Sequence, residues 1–179
     1  MAREDEYRAS DILPVPRTRE EARQAYDRLS RIYDYTIGAF GRKYSAMALR
    51  RLSITEGERV LEIGFGTGHC LKLMTKLVGQ TGRVCGIDLS SRMIGRTRRR
   101  LDRAGLAERV SLCCGDVVHL PFAGNAFDAV LACFVLEVLD TPEIPVVLEE
   151  ISRVLKPGGR LGSCQHVKGE RGVRACKAL

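Results

Sequence analysis

The sequence predicts a doubly wound, mostly parallel α/β sheet preceded by helices, and three observations lead to it. Short apolar runs alternate with segments of helical periodicity from Arg59 to Leu161, the pattern of repeated βα units. The first run, Val60–Ile63, feeds a loop with glycine at every second position (Gly64, Gly66, Gly68), and a helical pattern opens at His69. Aspartates close the next two runs, Asp88 and Asp116, at the strand ends where such sheets bind ligands.

Composition narrows the class. A chain of 179 residues predicts one domain with a real core. Its 45% apolar and 28% charged residues are ordinary for a soluble globular protein. Residues Met1 to Asp11 carry no apolar signal segment, and the longest apolar run, Ala129–Leu136, is too short to cross a bilayer. A cytoplasmic location is expected. The seven cysteines are odd in number and form no C-x-x-C pair. They are expected to be reduced, with no metal site. The net charge of +7 concentrates on Arg92, Arg96, Arg98, Arg99, Arg100 and Arg103, and again after Leu155. Such a face can serve RNA or anionic lipid; the plainer expectation is a solvated helix face and a loose tail.

In chain order, residues 1–17 alternate in charge, contain Pro14 and Pro16, and predict an irregular arm. Thr18 and Glu21 form a capping-box pair. Ala22, Ala25, Tyr26, Leu29, Ile32 and Tyr33 then predict an amphipathic helix to about Asp34. Gly38 and Gly41 are expected to interrupt before a second helix near Lys43–Leu52. A strand at Val60–Ile63, the glycine loop and a helix from His69 follow. The second strand, Arg83–Ile87, ends at Asp88, which follows Gly64 at close to the roughly 20-residue offset of a ribose-binding acid. Asp88 either accepts from a vicinal diol or caps the next helix, and the glycine loop upstream favours the diol. That helix runs from Ser91 to about Ala104 and stops at Gly105. A third strand, Arg109–Cys114, leads to Asp116, which either meets an exocyclic adenine amine or serves as a turn residue. The fourth strand is Phe127–Cys133. Thr141 is expected to cap the next helix with Pro142 at its first position. The Lys156–Gly159 turn introduces a fifth strand near Arg160.

Glycine spacing separates two nucleotide-binding readings. A dinucleotide fingerprint wants a small residue at position 69, where this chain has His69. A nicotinamide oxidoreductase is thereby disfavoured.

Four matches stand in order: VLEIGFGTG, GIDLS, GDVVHLPF followed by FDAVLACFVLEVL, and RVLKPGGRL. Over roughly Tyr26 to Leu161 they resemble class I S-adenosylmethionine-dependent methyltransferases. The likeness is nearest to the ubiquinone/menaquinone biosynthesis C-methyltransferase-like group, whose paired YD dipeptides are similar to Tyr26-Asp27 and Tyr33-Asp34. The chain departs from that group at Thr36-Ile37, where Met-Asn is expected, and at Gln165-His166-Val167, where its Glu-x-Ser ending is absent.

The resemblance implies a Rossmann-like fold and S-adenosyl-L-methionine as cofactor. It implies a methyltransferase domain over residues 18–167, with N-terminal helices in 18–53 and the cofactor-binding core in 54–167. Gly64, Phe65, Gly66 and Gly68 would wrap the methionine part, with Glu62 near its ammonium group. Asp88 would hold the ribose, with Leu89 and Met93 beside the adenosine. Asp116 and Val117 would face the adenine, and Cys133 would offer backbone near the sulfonium. For Leu89, Met93, Val117 and Cys133, ordinary core packing is the competing reading.

Methyl transfer from a sulfonium mainly needs alignment and exclusion of water, so no catalytic triad is expected. His119 and Glu137 are the candidate bases, each with a structural role as the alternative. The implied acceptor is a small lipophilic molecule, a quinol-like ring or a lipid amine. The implied partners include no specific nucleic acid, since Cys133-Phe134-Val135-Leu136 stands where base-modifying enzymes carry an Asn-Pro-Pro-Tyr-type tetrad. A peripheral membrane contact stays open, as does a non-catalytic or inactive truncated form. After Leu161 the sequence contains no β-branched run. The last two of the usual seven strands are expected to be missing, the fifth strand to be a bare edge, and 168–179 to be a disordered basic tail.

Overall fold

The computed structural model describes residues 18–30, 37–140, 142–166 and 173–176. The apolar runs form β1 (Arg59–Ile63), β2 (Arg83–Asp88), β3 (Val110–Cys114), β4 (Phe127–Cys133) and β5 (Leu155–His166), followed by β6 (Val173–Cys176). The periodic segments form α1 (Arg19–Leu29), α2 (Ile37–Leu52), α3 (His69–Leu77), α4 (Ser91–Arg103) and α5 (Glu143–Val154). The sheet order is β3-β2-β1-β4-β5-β6. Strands β1 to β5 run parallel and β6 runs antiparallel.

Central strands of a parallel sheet are covered on both faces and read as continuous apolar runs. Four of the five β1 residues and most of β4 are buried accordingly. Alternation assigns the sides. Val60, Ala129 and Leu131 pack in the layer that holds Leu52 of α2, Leu71 and Met74 of α3 and Leu101 of α4. Leu61, Ile63, Val130 and Ala132 pack in the opposite layer, with Val147, Ile151 and Val154 of α5. Each fully buried Leu, Ile or Met contributes about 1.5–3 kcal/mol.

The register places the site. Ile63 pairs with Ile87 and Ala132, Asp88 with Cys114, and Cys133 with Cys164. Gly64, Leu89, Gly115 and Phe134 therefore leave the sheet along one edge. Strand order reverses between β1 and β4, which opens a crevice at their carboxyl ends.

Local signals act as the sequence predicts at several points. Thr18 and Glu21 make both bonds of the capping box: Thr18 N donates to Glu21 Oε2 at 2.8 Å and Glu21 N to Thr18 Oγ1 at 3.3 Å. The cap of α4 is Ser90 rather than Asp88, the residue the sequence offered: Ser90 Oγ accepts from Met93 N at 3.1 Å. Gly105, at φ +65°, ends that helix. Arg160 ties the ends of three elements together, donating from Nε to Leu52 O at 2.9 Å and from Nη2 to both Glu58 oxygens at 2.8 Å.

Four expectations change. Gly38 and Gly41 do not interrupt α2, which runs through both from Ile37. A Cβ on Gly41 would lie 3.0 Å from Phe134 Cε2, so that glycine serves a close approach rather than a break. The first helix ends at Leu29; Tyr33-Asp34 and Thr36 lie outside the described residues. Pro142 caps α5, which begins at Glu143, and Thr141 lies outside the described residues. Leu155 leaves the helix to pair with Phe127, and Lys156–Gly159 bulge out before Arg160 pairs with Ala129.

The edge of β5 is also not bare. Val173–Cys176 pair antiparallel with it, from His166↔Val173 to Ser163↔Cys176. Ladder bonds are made by backbone groups whatever the side chains, so the glycine-rich, cationic composition did not signal this strand. The remainder of 168–179 and the 1–17 arm lie outside the described residues. Among the described residues, no helix is long and apolar enough to cross a membrane.

Candidate functional site

Three glycines in the left-handed region turn the chain from β1 into α3: Gly64 at φ +62°, Gly66 at +53° and Gly68 at +74°. At Gly64 a Cβ would stand 2.2 Å from Val135 Cγ2, and at Gly68 2.4 Å from Thr97 Cγ2. Neither position has room for a side chain. The loop is held from α4, where buried Thr97 donates from Oγ1 to Gly66 O at 2.9 Å and Arg100 Nη1 donates to Thr67 Oγ1 at 3.2 Å.

Asp88 ends β2 opposite this loop and is only 8% exposed. Its Oδ2 accepts from Gly66 N at 2.8 Å and its Oδ1 from Ser90 N at 2.9 Å. Asp88 thus braces the residue before α4 rather than capping the helix itself, since the N-cap is Ser90, and it lines the cavity described below. Burial pushes its carboxyl up to about 6, against the two amide donors, and the charge of Asp27 adds to the rise. The Ser90 hydroxyl donates to Asp27 Oδ1 of α1. Arg23 and Arg92 approach the other oxygen of Asp27 at 3.7 and 4.0 Å. This cluster fastens α1 over the carboxyl edge of the sheet.

Beneath α1 lies a cavity of about 340 Å³. Of the residues named as cofactor-binding in the sequence, Gly64, Gly66, Asp88, Leu89, Met93, Asp116, Val117 and Cys133 line it. Asp116 also accepts from Val118 N at 3.1 Å, so it is a turn residue as well. Three named residues stand back from the cavity. Phe65 is 4% exposed and packs in the core, where a Cβ on Gly86 would lie 2.6 Å from its ring. Gly68 caps α3 against Thr97. Glu62 is buried behind the loop, and its Oε2 has no hydrogen-bond partner among the described residues. Burial, then the nearby Asp88 charge, push the Glu62 carboxyl well above the usual range.

Neither candidate base lines the cavity. His119 is exposed and Glu137 half-buried on a short 3-10 helix, Leu136–Val138. The polar side chains at the wall are instead Thr18 and Tyr26 from the α1 region and Asp140 and Glu143 near the start of α5. An apolar wall of Phe134, Val135, Val138 and Leu139 adjoins them. Phe134 holds φ +59° while its N donates to Cys164 O at 2.8 Å, a strained backbone of the kind concentrated at ligand sites. Periodicity gave no signal for this wall.

The cavity suits a nucleoside carrying an amino-acid tail. It joins a side-chain-free loop, a carboxylate at a strand end and a second acid one strand further on. An orphaned buried carboxylate oxygen stands behind the loop.

Residues 60–159 match the sequence model of the methyltransferase domain family. A demethylmenaquinone methyltransferase of Staphylococcus aureus (strain JH9) is 34% identical over 145 residues, covering 81% of this chain and 57% of that protein. The chain thus spans little more than half the length of that relative. The crystal structure of a SAM dependent methyltransferase from Aquifex aeolicus superposes with a TM-score of 0.64 at 29% identity, covering 71% of this chain and 66% of that one. The [4+2]-cyclase SpnF superposes with a TM-score of 0.74 at 27% identity, covering 89% and 66%. The family match spans more than half of the chain, and the glycine loop and strand-end acids fall inside it. The chain belongs to the class I S-adenosylmethionine-dependent methyltransferase family.

Proposed function

We propose that this chain binds S-adenosylmethionine in the cavity under α1 and directs its methyl group to a small lipophilic acceptor, a quinol-like ring or a lipid amine. One observation carries the reading: the glycine loop, Asp88 and Asp116 converge on a single cavity at the point where strand order reverses. The bound cofactor supplies a methyl group on a sulfonium, an already activated leaving group.

The protein's part is to bind, align and exclude water. Gly64 and Gly66 allow the backbone to approach the methionine part, and buried Glu62 supports the loop from behind. A carboxylate offers about four acceptor sites, and two on Asp88 are taken by Gly66 N and Ser90 N. The others accept from the ribose hydroxyls. Leu89, Met93 and Val117 form the apolar slot beside the adenine, with Asp116 at its amine. Phe134, Val138 and Leu139 present the acceptor with an apolar wall. A base for a phenolic or carbon nucleophile is drawn from Tyr26, Asp140 and Glu143 rather than from His119 or Glu137. The name of the Staphylococcus aureus relative supports a quinol-like ring among lipophilic acceptors.

A second reading has its own support. The SpnF neighbour is named a cyclase, and a fold does not fix its chemistry. Under that reading the chain holds the cofactor without methyl turnover.

Two measurements decide. Calorimetric titration should show S-adenosylmethionine binding with no comparable binding of NADH. Radiolabelled methyl transfer should then appear with a demethylated quinol or a lipid amine and not with bulk RNA. Binding without transfer to any acceptor class selects the second reading, and no binding at all overturns both.

A further inference from the structure

Outside the cofactor cavity, one concave site has an unusual lining. Arg96, Arg99, Arg100 and Arg103 of α4 and Thr67 of the glycine loop enclose about 160 Å³. The four arginines are spaced i, i+3, i+4 and i+7, which puts them on one stripe of the helix. The stripe is about 10 Å long at 1.5 Å per residue. Asp102 is the one acid in Ser91–Arg103, and it lines a different crevice with Arg98. Among the described residues, no ion pair within 4.0 Å is recorded for Arg96, Arg99 or Arg103. Like charges one turn apart repel, so this stripe carries a cost that a bound anion would relieve.

The chemistry of the lining names the anion. Guanidinium groups match phosphate oxygens with paired N–H donors, and Thr67 lines the same pocket. The concavity suits one or two phosphates rather than a long polyanion. No aromatic side chain lines it and none occurs on α4, so it lacks the stacking platform of a single-strand nucleic-acid groove. Its position matters too. Thr67 directly follows Gly66, which lines the cofactor cavity, so the two sites share one loop at the carboxyl edge of the sheet.

We propose that the Thr67–Arg96–Arg99–Arg100–Arg103 pocket binds the phosphate of an anionic phospholipid headgroup and docks this edge of the molecule on a membrane surface. The inference stands apart from the methyl-transfer reading, because lipid binding requires neither cofactor nor acceptor.

The test is flotation of the full chain with phosphatidylcholine vesicles, with and without phosphatidylglycerol. The chain should float with the phosphatidylglycerol vesicles only and should be released as salt screens the contact. A basic residue at an anionic surface contributes about fivefold in partitioning. Arg99→Gln should therefore lower partitioning by about fivefold and Arg96→Gln/Arg99→Gln by about 25-fold. Arg98→Gln removes the same charge from the same helix outside the pocket and should change partitioning less than about twofold. Matching thermal melts of all variants exclude misfolding. Equal losses for Arg98→Gln and Arg99→Gln would overturn the pocket in favour of diffuse charge. Absence of flotation, release by inorganic phosphate alone at matched ionic strength, or release by a single-stranded RNA oligonucleotide would each overturn the lipid assignment.

Discussion

Replacing Asp88 with asparagine probes the centre of the site through a property that is separable from activity. In the fold, burial raises this carboxyl from 3.8 to about 6. Asp88 therefore holds its proton more tightly in the folded than in the unfolded chain. Its contribution to stability is complete below 3.8 and is lost as pH rises through about 6. At about 1.36 kcal/mol per unit, the loss is about 3 kcal/mol. The amide of the variant cannot titrate, so the stability of the native chain relative to Asp88→Asn should fall by that amount across the window. Glu62 is pushed in the same direction in both chains. Removing the Asp88 charge relieves part of that rise, which adds to the difference rather than reversing it. Urea denaturation of both proteins across this pH range measures the difference directly. Parallel curves would show that Asp88 is not a buried, ionising carboxylate, and the account of how it braces the loop would fall with it. The same titration links to the ligand. If the ionised form accepts from the ribose, affinity for S-adenosylmethionine should weaken below about pH 6, approaching tenfold per unit.

Gly64→Ala forces a left-handed backbone on an L-residue and drives a methyl group to 2.2 Å from Val135 Cγ2. Together these should cost about 2–4 kcal/mol and remove cofactor binding, read by denaturation and calorimetry; an unchanged melt would mean the loop is not packed as described. Thr97→Val keeps the shape of a fully buried side chain but deletes the hydrogen bond to Gly66 O. It should cost about 1–3 kcal/mol and weaken S-adenosylmethionine binding, and equal affinity for both proteins would show that α4 does not hold the loop.

The parallel frame was legible because its signals are local and periodic. Phe127–Cys133 has the same bounds in the sequence reading and in the structure, and β1, β2 and β3 differ by one residue at one end. The capping box at Thr18/Glu21 is short-range chemistry and was readable for the same reason. The loop and acids followed because a strand end fixes where its next residue emerges. Features that depend on a partner distant in sequence were not legible. Gly41 looks like a helix breaker until Phe134 is brought against it. The β6 pairing depends on the open edge of β5 and not on its own composition. Glu62, Phe65 and Gly68 carry the right motif, yet they support the loop from behind. Val138 and Leu139 join the apolar wall at Phe134 only once the chain has closed.

The close approach of Gly41 to Phe134 has a consequence for sequence drift. A Cβ at position 41 would sit 3.0 Å from the Phe134 ring edge. Alanine there would favour the helix by about 1 kcal/mol, so mutation pressure on α2 runs toward filling the gap. The ring must give by a few tenths of an ångström or be exchanged for a smaller side chain, and either change reshapes the cavity wall that Phe134 lines. The two positions, far apart in the chain, are therefore expected to change together, and divergence of acceptor preference has a route through an α2 residue outside the cavity.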